Sequence, residues 1–390
     1  MGKTASKQPV ITLTAGPVQA YPRILQAMAL PQGYDYDASF QEMYENCAVK
    51  CAAAMKVDAP ALILQAEPAV AIEAAAASLI SKKDTVLNLA SGVYGKGFGY
   101  WSARYHGSMV EIETPFNEAI DPADVEQAFK DNPEISIVSV VHHDTPSGTI
   151  NPVREIGKIV KDNGALLIVD AVSSFGGMDI HPADCHADIF ITGPGKCLGG
   201  VPGVTFCAVS DAAWDHMETN PDAPFASILS YTDWKKAWSR NEAFPFTPST
   251  AEIGGLDMAI DLYLEEGAEA VWARHDLTAR AFRAGVKAMG AELWAARESI
   301  ASPTTTAVKV PDGVSDDALV AYAREHFGVI LSIGRDATRH KLLRIGHMGP
   351  TAEPIYAVVA LTALGSAMRG CGLSADVGAG VEAAMAVVTG

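Results

Sequence analysis

The chain predicts an α/β fold: a mostly parallel sheet of seven strands between helices, followed by a smaller C-terminal α/β domain. Three observations carry this expectation. Seven short apolar runs recur through the first two thirds of the 390 residues. Segments of helical periodicity separate them, and such alternation is the mark of strands joined by crossover helices. After a helix-rich stretch at 250–289, the alternation resumes on a smaller scale.

Residues 10–14 form a short extended run, expected to pair beside the later domain as an N-terminal arm. The seven runs of the main sheet are 61–64, 85–89, 109–112, 135–141, 165–169, 189–192 and 204–209, with helices over 72–81 and 152–162 among the segments between them. Their continuous apolar character suits strands buried on both faces. In such sheets ligands lie beyond the carboxyl ends of the strands, so Gln65, Asn88, His142, Asp170 and Thr192 are expected to converge on one cleft. Farther on, 305–310, 329–332 and 342–345 read as strands, 354–368 as a helix, and the Ala/Gly-rich tail after Gly370 as a final helix. This divides the chain into an arm (1–20), a large domain (21–255) and a small C-terminal domain (256–390).

An apolar fraction of 49% leaves ample core, and a net charge of −17 repels phosphate backbones and anionic membrane surfaces. No nucleic-acid or membrane partner is expected. The opening residues 1–8 lack the apolar centre of a secretory leader, and no uninterrupted apolar run approaches roughly 18 residues, so the cytoplasm is the expected location. Six cysteines without a Cys-x-x-Cys pair read as small buried residues, and no metal site is expected.

Chemistry enters at Lys196, which ends Asp188-Ile189-Phe190-Ile191-Thr192-Gly193-Pro194-Gly195-Lys196, a strand opening into a small-residue turn. Asp170 closes another strand 26 residues earlier, in Leu166-Leu167-Ile168-Val169-Asp170. A lysine so placed forms a Schiff base with an aldehyde, and a buried carboxylate holds a pyridine nitrogen protonated so that the ring draws electrons. Taken singly, Lys196 is a loop lysine and Asp170 a helix cap. Together they suit pyridoxal chemistry.

With Asp170 and Ser173, Thr192-Gly193-Pro194-Gly195-Lys196 and Pro202-Gly203 on the page, the chain resembles the class V aminotransferases of fold type I, the group of alanine-glyoxylate and serine-pyruvate transaminases. Further stretches match in order: Ala15-Gly16-Pro17, His142-His143-Asp144-Thr145-Pro146-Ser147-Gly148 and Leu343-Arg344-Ile345-Gly346. The resemblance implies that Lys196 is the Schiff-base lysine and proton shuttle and that Asp170 partners the ring nitrogen. It also implies that Thr145 and Ser173 lie near the ring, that Tyr94 stacks on its face, and that Ala15, Gly16 and Arg344 receive the substrate carboxylate. Arg344 suits that task because a guanidinium offers two parallel hydrogen bonds. Arg335 assists or gates the same pocket, or is simply a solvated loop arginine.

Departures from the family pattern are as informative as the matches. The family's phosphate turn is a Gly/Ser/Thr-rich helix start, whereas this chain has Gln65-Ala66-Glu67-Pro68-Ala69. Proline donates no N–H, and Glu67 adds a negative charge. Two like charges ~4 Å apart repel by about 4 kcal/mol at an effective dielectric near 20, so a phosphate is disfavoured there. Gly195 and Phe244 remove two more of the family's phosphate contacts, Phe244 standing where a neighbouring subunit contributes a tyrosine, while Thr247 of that loop is kept. Glu67 is also suited to capping the helix that follows it.

The resemblance and these departures from it together imply a transaminase that converts pyridoxamine and pyruvate reversibly to pyridoxal and L-alanine in vitamin B6 breakdown. Glu67, Tyr94, Thr145, Asp170, Ser173, Phe244 and Thr247 meet the B6 ring; Arg344, Arg335, Ala15 and Gly16 meet the carboxylate. No tightly bound cofactor is expected, pyridoxal or pyridoxamine being a substrate held transiently on Lys196. A site shared through Phe244 and Thr247 makes a homodimer the smallest unit, with a tetramer left open. The alternative is a conventional pyridoxal-phosphate enzyme of the alanine-glyoxylate or serine-pyruvate type.

Overall fold

A computed structural model of the chain describes residues 10–31, 33–239 and 242–390. The leader reading of residues 1–8 and the first half of the expected arm lie outside the described residues. The strands are β1 (Ile11–Thr12), β2 (Leu62–Leu64), β3 (Thr85–Ala90), β4 (Ser108–Glu113), β5 (Ile135–Val141), β6 (His143–Asp144), β7 (Thr149–Ile150), β8 (Leu166–Asp170), β9 (Ile189–Thr192), β10 (Thr205–Val209), β11 (Thr305–Lys309), β12 (Val329–Ile330), β13 (Ser332–Ile333) and β14 (Leu342–Gly346). The main sheet has seven strands in the order β2-β10-β9-β8-β5-β3-β4. Strands β4, β3, β5, β8 and β9 run parallel, while β10 is antiparallel to both β9 and β2. All seven runs read from the sequence are present, within a residue or two.

Local chemistry explains the flanking helices. The helix Val153–Asp162 buries Val153, Ile156 and Val160 and turns charged residues outward, the spacing of one apolar stripe. Helix Pro68–Leu79 begins earlier than the periodicity suggests, because Pro68 suits the first helical position and the Glu67 side chain accepts the Ala69 N–H. Its alanine-rich sequence is buried along most of its length, which lets it pack close to the sheet.

Two apolar cores result. One runs from Ile24 to Val271 around the main sheet. The other gathers Ala281, Phe282, Leu343, Ile345, Leu361 and Leu364 around the antiparallel sheet β11-β14-β13, and it includes Leu13 from the arm. The arm enters by parallel pairing of β1 with β12, as residues 10–14 predict. The run 329–332 is not one strand: β12 pairs with the arm, and β13 pairs with β14 in a different sheet. Period-2 patterning cannot reveal such a break, because each short half satisfies it.

The arm is fitted tightly. The Gly346 N–H donates to the Leu13 carbonyl at 2.9 Å, and a Cβ on Gly346 would lie 2.0 Å from the Thr14 carbonyl oxygen. Gly346→Ala is therefore expected to push the arm away and lower stability by about 1–3 kcal/mol, the usual range for overpacking. Gly254→Ala, in helix Thr250–Glu266 with no atom closer than 3.8 Å, is expected to raise stability by about 0.5–1 kcal/mol. Denaturant midpoints of the two variants check the pair, and equal shifts in one direction would contradict the packing argument.

Candidate active site

Asp170 sits at the end of β8, in register with Val141 of β5 and Ile191 of β9, so two neighbouring strands flank it. Its Oδ1 accepts the Val172 N–H at 2.9 Å. Burial pushes its carboxyl from an ordinary 3.8 up to about 7, and repulsion from Asp144 adds to the rise. Lys196 leaves the Gly193–Gly195 turn after β9, and its Nζ donates to the Ala15 carbonyl at 2.8 Å. Burial lowers this amine to about 8, helped by the nearby Arg344 cation and opposed by Asp170. The lysine is thus near the balance point between proton donor and nucleophile at neutral pH.

Glycine at position 16 has a steric reason. Its φ is +106°, and a Cβ there would lie 2.1 Å from Lys196 Nζ. Ala15 and Gly16, expected at the substrate carboxylate, are thus placed directly against the lysine. A cavity of about 910 Å³ opens beside these groups, and Glu67, Tyr94, Asp170, Ser173, Lys196 and Arg335 all line it. Val93, Phe98, Trp101 and Phe116 supply apolar wall. An aromatic-lined cleft with a few convergent polar groups is what a small planar ligand needs.

Tyr94 occupies the first turn of helix Val93–Tyr105 and lines the cavity where an aromatic stacked on the ring is expected. The Arg335 guanidinium lies 5.9 Å from its ring centre, a cation–π arrangement, and Arg335 also pairs with Asp336 at 3.4 Å. Arg344, on β14, donates through Nε to the Ile333 carbonyl at 2.9 Å, and its charge interacts with Tyr94 and Asp144. Thr145 is fully buried, and its hydroxyl has no partner among the described residues. Such an orphan hydroxyl is available to a ligand.

Several expectations need correction. Gln65, Asn88, His142 and Thr192 do not line the cavity; of the five strand-end residues only Asp170 does. Asn88 bonds instead to Gly95 O, Glu111 and Ser139, Gln65 accepts the Ser249 N–H at 2.5 Å, and the Thr192 hydroxyl is buried without a partner among the described residues. A strand end places the Cα near the cleft, yet alternation decides which side chains face it. Burial holds His142 neutral, at about 3. Phe244 packs on Phe40 and Tyr44 of its own chain, and Thr247 is exposed; neither lines this chain's cavity, the neighbour's site being the one expected for both. Cys197 behaves as expected, a buried thiol pushed up to about 12 and so unreactive.

Sequence reasoning passed over Asp144. Its Oδ2 accepts the N–H groups of Tyr94 at 2.7 Å and Gly95 at 3.2 Å, across 50 residues of sequence. Burial pushes its carboxyl up to about 6. The available signal was the pair Gly92 and Asp144, which no short-range pattern connects.

Asp170 and Lys196 fit a pyridoxal-type group, the first at a ring nitrogen and the second at an aldehyde. Glu67 lines the same cavity and already accepts the Ala69 N–H at 2.9 Å. This geometry makes a prediction about Asp170. A folded carboxyl at about 7 keeps its proton while the unfolded chain loses one from about pH 4 upward, so stability falls as pH rises through that window, by up to about 4 kcal/mol. Asp170→Asn removes this loss. The ligand-free variant is expected to gain more in melting temperature over the parent at pH 8 than at pH 5, and to lose transamination; a pH-independent gain would contradict the burial account.

The sequence pattern of the aminotransferase class-V family matches residues 14–358. The chain is 61% identical over 380 residues to a pyridoxamine–pyruvate transaminase of Mesorhizobium japonicum, covering 97% of each. A crystal structure of pyridoxamine-pyruvate aminotransferase from Mesorhizobium loti superimposes with a TM-score of 0.97, covering 98% of this chain and 97% of that one. A ureidoglycine-glyoxylate aminotransferase from Bacillus subtilis gives a TM-score of 0.93 at 25% identity, with full coverage of both chains. These matches correct the expectation that no cofactor is tightly bound: the class V enzymes depend on pyridoxal phosphate as a bound cofactor.

Proposed function

The chain belongs to the class V aminotransferases, and from that premise we propose that it transfers the amino group of pyridoxamine to pyruvate, giving pyridoxal and L-alanine, and runs the reverse reaction. The observation that carries this reading is Glu67. A carboxylate holds the N-terminus of helix Pro68–Leu79 and faces the same cavity as Lys196 and Asp170. There it accepts a hydrogen bond from the hydroxymethyl group of an unphosphorylated B6 amine and repels a 5′-phosphate on that substrate. The 61% identity to a pyridoxamine–pyruvate transaminase supports the assignment.

When bound, the pyridoxal ring supplies an aldehyde that condenses with amines and a ring that accepts electrons. The chain's residues do the rest. Asp170 holds the proton at the ring nitrogen. Lys196 Nζ, near its balance point, takes a proton from one carbon and returns it to another. Arg344 grips the oxo-acid carboxylate, and its bond to the Ile333 carbonyl fixes the guanidinium for that task. The apolar walls exclude bulk water, which strengthens each of these charge interactions. A place in vitamin B6 breakdown, a cytoplasmic location and an assembly of at least two copies, with Phe244 and Thr247 reaching a neighbour's site, complete the proposal.

The test is a comparison of amines. Purified protein with pyruvate is expected to release aldehyde from pyridoxamine with kcat/KM about 100-fold above that for pyridoxamine 5′-phosphate, a ratio within the repulsion of two close charges. Turnover of the phosphorylated amine alone would overturn the substrate assignment. Glu67→Ala is expected to bring the ratio down at least tenfold, whereas an unchanged ratio would leave Glu67 as a helix cap and nothing more.

A further inference from the structure

We propose that Asp144 is a positioning residue for this reaction: through the space that Gly92 leaves open it clamps the start of the Tyr94 helix, and so holds Tyr94 and the aromatic wall in place. The inference deepens the function proposed above and rests on it only for the identity of the amine.

Helix Val93–Tyr105 lacks the usual means of satisfying its first N–H groups. Its cap residue is Gly92, which has no side chain, and its first turn contains no acidic residue. Asp144 supplies the missing acceptor from β6, taking the Tyr94 and Gly95 N–H groups on Oδ2. Gly92 is not needed for its backbone angles, since φ is −173° and any residue adopts it. It is needed for room: a Cβ there would lie 2.1 Å from Asp144 Cγ and 2.4 and 2.5 Å from its oxygens. The two positions form one device.

A helix cap alone does not require a carboxylate at this depth. Asp144 is 0% exposed, makes no ion pair, and its Oδ1 has no hydrogen-bond partner among the described residues. Such a group is expensive to bury, and a neutral amide would accept the same N–H groups. The charge therefore acts on what surrounds it. Asp170 from the end of β8 and Arg344 from β14 both feel it, and Lys196, Glu67, Arg335, Tyr94 and neutral His143 are the other titratable groups that face that pair. Repulsion between Asp144 and Asp170 favours a proton on Asp170, so Asp144 biases the group at the ring nitrogen as well as the ring's wall.

Two variants approach the contact from opposite sides. Asp144→Asn keeps the shape and removes the charge; Gly92→Ala keeps the charge and displaces it. Binding of pyridoxine and, in parallel, of pyridoxal 5′-phosphate to ligand-free protein is read by the fluorescence of Trp101, which lines the cavity. Both variants are expected to weaken binding of whichever ring the parent takes up by roughly 10-fold, the loss of a charge-assisted bond, and to raise the amine KM with the pyruvate KM within about twofold. Asp144→Asn is also expected to move the acid limb of kcat/KM to lower pH, and Gly92→Ala to leave it closer to the parent's. Parental ring affinity in both variants, with only the melting temperature lowered, would overturn the proposal. If Asp144→Asn does not fold, Gly92→Ala decides alone: unchanged affinity overturns it. If the parent ignores pyridoxamine but both variants still lose ring affinity, the substrate assignment fails and the role of Asp144 stands.

Discussion

The site depends on one electrostatic arrangement: an amine and a carboxyl withdrawn from water into the same cleft, close enough to influence each other and not paired as a salt bridge. Burial drives Lys196 down to about 8 and Asp170 up to about 7. Each is thereby brought near neutrality in its own direction. In water both would be fully charged at pH 7 and would exchange protons with nothing. The seven-stranded sheet makes the arrangement possible, because adjacent parallel strands β8 and β9 end at the same edge and deliver the two residues there. Each keeps a hydrogen bond, Asp170 from the Val172 N–H and Lys196 to the Ala15 carbonyl, yet burial disfavours the charge on both. The two apolar cores that flank them must offset the cost.

Much of this was legible in the sequence. Strands β5 and β9 have the bounds that their apolar runs predict, since parallel strands buried on both faces leave a continuous signal. Lys196 and Asp170 were legible because each closes such a run. What failed was side-chain direction. Asn88 lies two residues short of the end of β3, and it serves the underside of helix Val93–Tyr105, bonded to Gly95 O and Ser139. Asp144 failed differently: its meaning lies in a glycine 52 positions earlier, and only the folded chain brings the two together.

Glu67 illustrates how two readings of one residue can both hold. It caps helix Pro68–Leu79 through the Ala69 N–H, and it faces the ligand cavity. These are one fact physically. The first turn of a helix attracts negative charge, and a carboxylate that has taken the position leaves less attraction for an incoming anion. Asp144 repeats the arrangement at helix Val93–Tyr105. Two helix N-termini that face the cleft are thus neutralised by the chain's own acids.

The arm's hold on Lys196 has a consequence for how this enzyme tolerates change. The amine rests on the carbonyl of Ala15, a main-chain oxygen that every amino acid possesses. Replacing the side chain at that position leaves the acceptor where it is, so the lysine's resting pose is indifferent to residue identity and sensitive only to the path of the backbone. That path is laid down by β1 against β12 and by the closeness of Gly346 to Thr14. Inheritance of the pose therefore passes through distant glycines and strand pairing, and a sequence alignment centred on the lysine would never register it.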